Sequence, residues 1–125
     1  MTKYLIVAFG GAIGSILRFW AGGYVSGRLG TRFPYGTFVI NITASFLIGL
    51  IMTVLAEKTH WNPAWRYLLV IGFLGGYSTF SSFEYETFQV FQDGEFLMAA
   101  LNVASSVAIG FIAVWVGAIT GRSIA

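Results

Sequence analysis

The run Gly75-Gly76-Tyr77-Ser78-Thr79-Phe80-Ser81-Ser82-Phe83-Glu84 holds two glycines, four Ser/Thr hydroxyls and two phenylalanines inside one apolar stretch. These residues suit a broken helix more than a plain lipid-facing span. Lipid cannot satisfy free backbone groups, so irregular backbone at membrane depth survives only inside protein or beside a wet path. A break of this kind points to an ion or substrate site. Phe80 and Phe83 are three apart and share a helix face after the break. A phenyl edge is positive and can meet an anion, while its face can meet a cation. Two stacked phenylalanines are more often simple packing. The hydroxyl-rich surroundings, with Thr79 next to Phe80, favour a functional role.

Polar residues recur in other apolar stretches. Asn41 follows Gly36-Thr37-Phe38-Val39-Ile40, and Thr37 lies four residues before it on the same face. A carboxamide is costly in lipid, so Asn41 faces protein or water. An interhelical hydrogen bond and a pore role both account for it. Asn102, Ser106 and Gly110 recur every four residues as a polar stripe, which serves either as interhelical glue or as the lining of a wet path. Arg18 is the one basic residue within a span; it can snorkel to the headgroups, anchor a structural contact or draw anions into a vestibule. Glu84 and Glu86 follow the phenylalanine pair near the membrane exit, and Glu86 is read as a vestibule or structural residue. His60 has no second His with which to build a metal site, and with Trp61 and Trp65 it reads as interfacial.

These residues need elements that cross a membrane. Of 125 residues, 57% are hydrophobic and only 10% charged, and the mean hydropathy is +0.78. A soluble domain carries about a quarter charged residues, so the membrane is the expected solvent. Four stretches approach the roughly 20 residues that a spanning helix needs: 4–26, 35–56, 67–92 and 96–121. The predicted fold is all-α and integral to the membrane, a single four-helix domain over 1–125 with the third helix broken mid-membrane. The N-terminal stretch imitates a signal peptide, but its late Arg18 and Trp20 and the three further spans favour retention. There is no Cys, hence no disulfide or thiol chemistry. No dense basic patch points to nucleic acid, and no catalytic constellation at workable spacing points to an enzyme.

Lys3, Lys58, Arg66 and Arg122 fall on the side of the termini, and Arg28 and Arg32 on the other. Such a weak bias either still orients the termini to the cytoplasm or permits insertion in both orientations and an antiparallel dimer. Small residues four apart, among them Gly10/Gly14, Gly11/Ser15, Gly23/Gly27 and Gly72/Gly76, favour close helix contacts and a packed homo-oligomer.

Gly10-Gly11-Ala12-Ile13-Gly14 with Arg18 after it, the Asn41 motif and the Gly75–Glu84 run occur in the order seen in Fluc-type (CrcB family) fluoride channels, which the chain resembles over essentially its whole length. The resemblance implies an antiparallel, dual-topology homodimer in the bacterial inner membrane, with two pores that export cytoplasmic fluoride passively and lower its toxicity. It implies that Phe80 and Phe83 line the pores by their ring edges, that Asn41 donates its amide to the ion, and that Thr37, Thr79, Ser106 and Asn102 continue a polar track. It also implies a structural Na⁺ at the dimer interface, held by the backbone carbonyls of Gly75 and Ser78. Ser78 replaces the Thr common in the family, and Asn102 and Gly110 depart from its usual Ser, Thr or Tyr. The alternatives are a small multidrug transporter, which is similar in size but needs an acid in the first span where this chain has Arg18, and a non-transporting assembly subunit.

Overall fold

The computed structural model describes all residues 1–125 and contains helices but no strand. The order is α1 (Thr2–Leu29), α2 (Tyr35–Glu57), α3 (Ala64–Arg66), a π-helical segment (Tyr67–Leu74), α4 (Gly75–Tyr77), α5 (Ser81–Gln92) and α6 (Phe96–Ile124). Three helices, α1, α2 and α6, are long and apolar enough to cross a membrane. The stretch from α3 to α5 forms a fourth, interrupted helical run.

Local chemistry sets the ends. α1 stops at Gly30, whose φ of 87° suits a residue without Cβ; its N–H donates to the Ser26 carbonyl at 2.9 Å. Pro34 stands directly before α2, where its missing N–H costs nothing. Gly94, at φ 81°, makes the tight turn between α5 and α6. The turn before α3 is pinned by Asn62, whose Oδ1 accepts the Ala64 N–H at 2.9 Å.

Packing rests on absent side chains. At Gly117 a Cβ would collide with the Phe46 carbonyl, and at Gly49 with the Val114 carbonyl, so α2 and α6 touch backbone to backbone. On the other side Gly10 and Gly14 of α1 lie against Leu68 and Phe73 of the π segment, and Gly76 lies against Gly11. The small-residue pairs Gly10/Gly14 and Gly72/Gly76, read as favouring close helix contacts and a packed homo-oligomer, make their close contacts inside one chain. Gly23 and Gly27 have nothing near them and stay available.

The small core is built on Ile40, Ala44, Leu74 and Tyr77. Only 16 of 125 residues are buried, and Phe19, Phe111 and Trp115 are all exposed. So much exposed apolar surface must be covered by lipid or protein, and the chain is a multi-pass membrane protein.

Gly117→Ala should destabilise the bundle by about 1–3 kcal/mol, the usual cost of overpacking. Gly23→Ala should be neutral or gain up to about 1 kcal/mol from helix propensity. Thermal unfolding in detergent checks this, and equal melting of the two variants would show that the α2–α6 approach is not limiting.

Candidate functional site

The interrupted run opens at Ser78, which is extended (φ −90°, ψ 156°). Gly75 and Gly76 lower the helix propensity before it. The decisive contact comes from α2. The Asn41 amide Nδ2 donates to the Thr79 carbonyl, and the Thr79 N–H donates to Asn41 Oδ1, both at 3.1 Å. One side chain thus satisfies both backbone groups of the residue at the break. α5 then restarts, with the Ser82 N–H donating to Thr79 Oγ1 at 3.3 Å.

These two diversions free two carbonyls. In an unbroken helix Thr79 N–H would bond the Gly75 carbonyl and Ser82 N–H the Ser78 carbonyl. Here neither carbonyl accepts a hydrogen bond. Between them, the Gly76 carbonyl accepts from Arg18 Nε at 3.1 Å. Arg18 therefore makes a structural contact at the break. Tyr77 is buried, with its hydroxyl 2.8 Å from Thr43 Oγ1.

Beside the break lies a cavity of about 260 Å³ lined by Asn41, Ser45, Ile48, Ser78, Thr79 and Phe80 among others. Its donors can be counted. The Ser78 hydroxyl donates to the Leu74 carbonyl, and Ser45 to the Asn41 carbonyl. Asn41 has two amide hydrogens and uses one on Thr79, so one remains. The Thr79 hydroxyl accepts from the Ser82 N–H and shares a hydrogen bond with Ser81 Oγ at 3.4 Å, so its proton faces the cavity when Ser81 is the donor of that pair. Phe80 is 73% exposed while Phe83 is buried, and their rings meet at 6.0 Å between centroids, tilted by 47°.

Thr37 lies one turn before Asn41 on α2. Its hydroxyl lies 2.7 Å from each Glu86 carboxylate oxygen. A hydroxyl has one proton, so Thr37 is committed to Glu86 and is not a free donor. Glu86 lines a second cavity, of about 520 Å³, with Arg32, Asp93 and Glu95; Arg32 and Glu95 pair there at 3.7 Å. Glu84 is exposed in the first turn of α5, where helix N-termini favour negative charge.

Asn102 is the most deeply buried polar residue, 1% exposed. It donates to Thr87 Oγ1 at 2.7 Å, and Thr87 donates to the Phe83 carbonyl at 2.7 Å. Ser106 donates to Asn102 Oδ1 at 3.3 Å. Within one chain this relay ties α6 to the turn that carries Phe83, and neither Asn102 nor Ser106 lines the Asn41 cavity. Gly110 is buried against Ser45 and Ile42. Thr87 and Tyr77 were not singled out by sequence reasoning. The signal for Tyr77 was a hydroxyl inside an apolar run, which needs a partner; for Thr87, nothing in spacing marks the residue 15 positions away that it meets.

The family model described as CrcB-like protein, Camphor Resistance (CrcB) matches residues 5–118. The chain is 52% identical over 122 residues to the fluoride-specific ion channel FluC of Acidobacterium capsulatum, covering 98% of each chain. It is 49% identical over 120 residues to the protein of that name from Solibacter usitatus, covering 96% of this chain and 98% of the relative. With the one from Sulfurihydrogenibium sp. it shares 39% over 122 residues, 98% of each.

Asn102→Leu and Thr87→Val should each cost about 1–3 kcal/mol by leaving a buried polar group unpaired. The double variant should cost less than the sum. A thermodynamic cycle from detergent unfolding measures the coupling; strict additivity would mean that the two side chains do not act as one contact.

Proposed function

The chain belongs to the CrcB family, and on that premise we propose that it is a subunit of a fluoride-selective channel that lets cytoplasmic fluoride leave the cell passively. The channel is carried by the half-open cavity at the break. It offers an amide hydrogen from Asn41, a hydroxyl from Thr79 and the exposed ring of Phe80. Fluoride is small and tightly hydrated, so a selective path has to replace water with strong donors. It must also release the ion, which favours neutral donors over a fixed cation in the narrow part. Arg18 is held on the Gly76 carbonyl and fits that restriction.

The assembly is an antiparallel homodimer of subunits in opposite orientations, residing in the bacterial inner membrane. Support comes from the weak charge bias and from Phe80, which is 73% exposed in the single chain. In the dimer each path takes side chains from both copies, with Phe80 and Phe83 presenting ring edges to the ion. Ser106 and Asn102 border the track from α6, and Thr37 holds Glu86 away from the passing anion. The chemistry here is transport without bond making, so the protein is a channel and not an enzyme. The free carbonyls of Gly75 and Ser78 fit a Na⁺ ion, a hard cation that takes oxygen ligands. Such an ion would supply a fixed charge that joins the two breaks across the interface.

Reconstituted protein should pass fluoride and exclude chloride in liposome efflux. Phe80→Ile or Phe83→Ile should cut the flux severely while the dimer still forms, because either change keeps apolar bulk and removes the ring edge. Asn41→Asp should block, since like charges 4 Å apart repel by about 4 kcal/mol at an effective dielectric of about 20, roughly a thousandfold in occupancy. Wild-type flux in all three variants would reduce these residues to packing.

Orientation is checked separately. Cysteine introduced at Lys3 or at Asp93 should be labelled from both sides of the membrane in this cysteine-free background. One-sided labelling of every molecule would rule out dual topology.

A further inference from the structure

Asn41, Ser45, Ile48, Met52 and Leu55 recur at helical spacing and share one face of α2. The first three line the cavity at the break; the last two line a cavity of about 600 Å³ nearer the C-terminal end of α2. The opposite wall continues in the same way, with Leu74 in the first cavity and Ile71 in the second. The shared faces align the two cavities, which have no lining residue in common, as one groove between α2 and the interrupted run. Its outer part is lined by Lys58 and Arg66, and no carboxylate lines it. Neither cation is paired: the single ion pair in the chain is Arg32–Glu95, which lines the other cavity, where Glu86 and Asp93 also lie.

We propose that this basic end of the groove is an anion-recruiting mouth, in which Lys58 and Arg66 concentrate fluoride at the entrance of the path that leads to Asn41. The inference rests on the fluoride reading above and adds a role for two residues outside the narrow region. Placement explains why charge is tolerated here. Lys58 lies 17 residues beyond Asn41, about 25 Å along the helix, so its field attracts an anion without holding it at the constriction. A surface lined by one sign of charge raises the local concentration of the opposite ion and its entry rate, and salt screens the effect. Two unit charges roughly 8 Å from an entering anion in water raise its local concentration about fivefold. The Asn62-pinned turn between them keeps both cations on one rim.

The test uses the full-length protein reconstituted in zwitterionic vesicles, with fluoride efflux followed by electrode. At low fluoride and about 10 mM impermeant salt, the Lys58→Gln/Arg66→Gln double variant should run about fivefold slower than wild type, and in about 1 M of that salt the difference should vanish. At saturating fluoride the rates should match. The charge-conserving Lys58→Arg/Arg66→Lys variant should behave as wild type, which separates charge from packing. Equal rates at low salt would overturn the proposal. So would a deficit that persists in high salt, because the residues would then act by shape. A deficit confined to vesicles containing phosphatidylglycerol would also overturn it, since the cavity would then hold a lipid phosphate. A wild-type protein with no fluoride flux at all would instead defeat the channel reading on which the proposal stands.

Discussion

The reciprocal hydrogen bonds between the Asn41 carboxamide and the backbone of Thr79 are the contact on which this architecture depends. A helix interrupted in lipid leaves donors and acceptors that water would otherwise satisfy, each at a cost of several kcal/mol. Asn41 has the one neutral side-chain chemistry, along with Gln, that copies a peptide group by donating and accepting together. With Thr79 satisfied from α2, the chain can leave the helix at Ser78 and resume at Ser81. The break is thereby fixed in place and not merely permitted. Asn41 is also one wall of the cavity that the break opens, so a single side chain stabilises the irregular backbone and offers its spare hydrogen to whatever enters.

Other polar contacts converge on the same short stretch. Arg18 of α1 holds the Gly76 carbonyl, Thr43 of α2 meets Tyr77, Thr37 of α2 meets Glu86, and Asn102 of α6 reaches Thr87. Each of the three long helices therefore places at least one polar side chain on the interrupted run. Away from it the helices meet through glycine and carbonyl contacts. The division follows from the solvent. Between helices in lipid there is little hydrophobic gain, so close packing of small residues and a few hydrogen bonds carry the association. Concentrating the hydrogen bonds at the break ties that region to all three long helices, the kind of support that a site for a small ion needs.

The single chain leaves groups open at the break. Phe80 projects from its cavity, and the Gly75 and Ser78 carbonyls have no partner. A subunit of four short helices has too few residues both to seal a path and to line it. Pairing two copies would cover the open side and double the set of donors, which is the physical argument behind the proposed dimer.

Some of this was legible in residue types alone. Four apolar stretches and a Gly- and hydroxyl-rich interruption pointed to the solvent, the helical class and the place where regular structure fails, because lipid imposes one rule on every backbone group. The importance of Asn41 was also readable, since a carboxamide at that depth must have a partner. Its partner was not. Periodicity reports which residues share a face and never which face of another helix they meet. For that reason spacing alone did not show that Gly10 and Gly72 meet within one chain, that Thr37 is bound to Glu86, or that the Asn102 stripe, which suited either interhelical glue or a wet path, reaches Thr87. Only tertiary packing decides these, because hydrogen-bond partners 15 to 58 residues apart are selected by how the helices dock and not by local sequence.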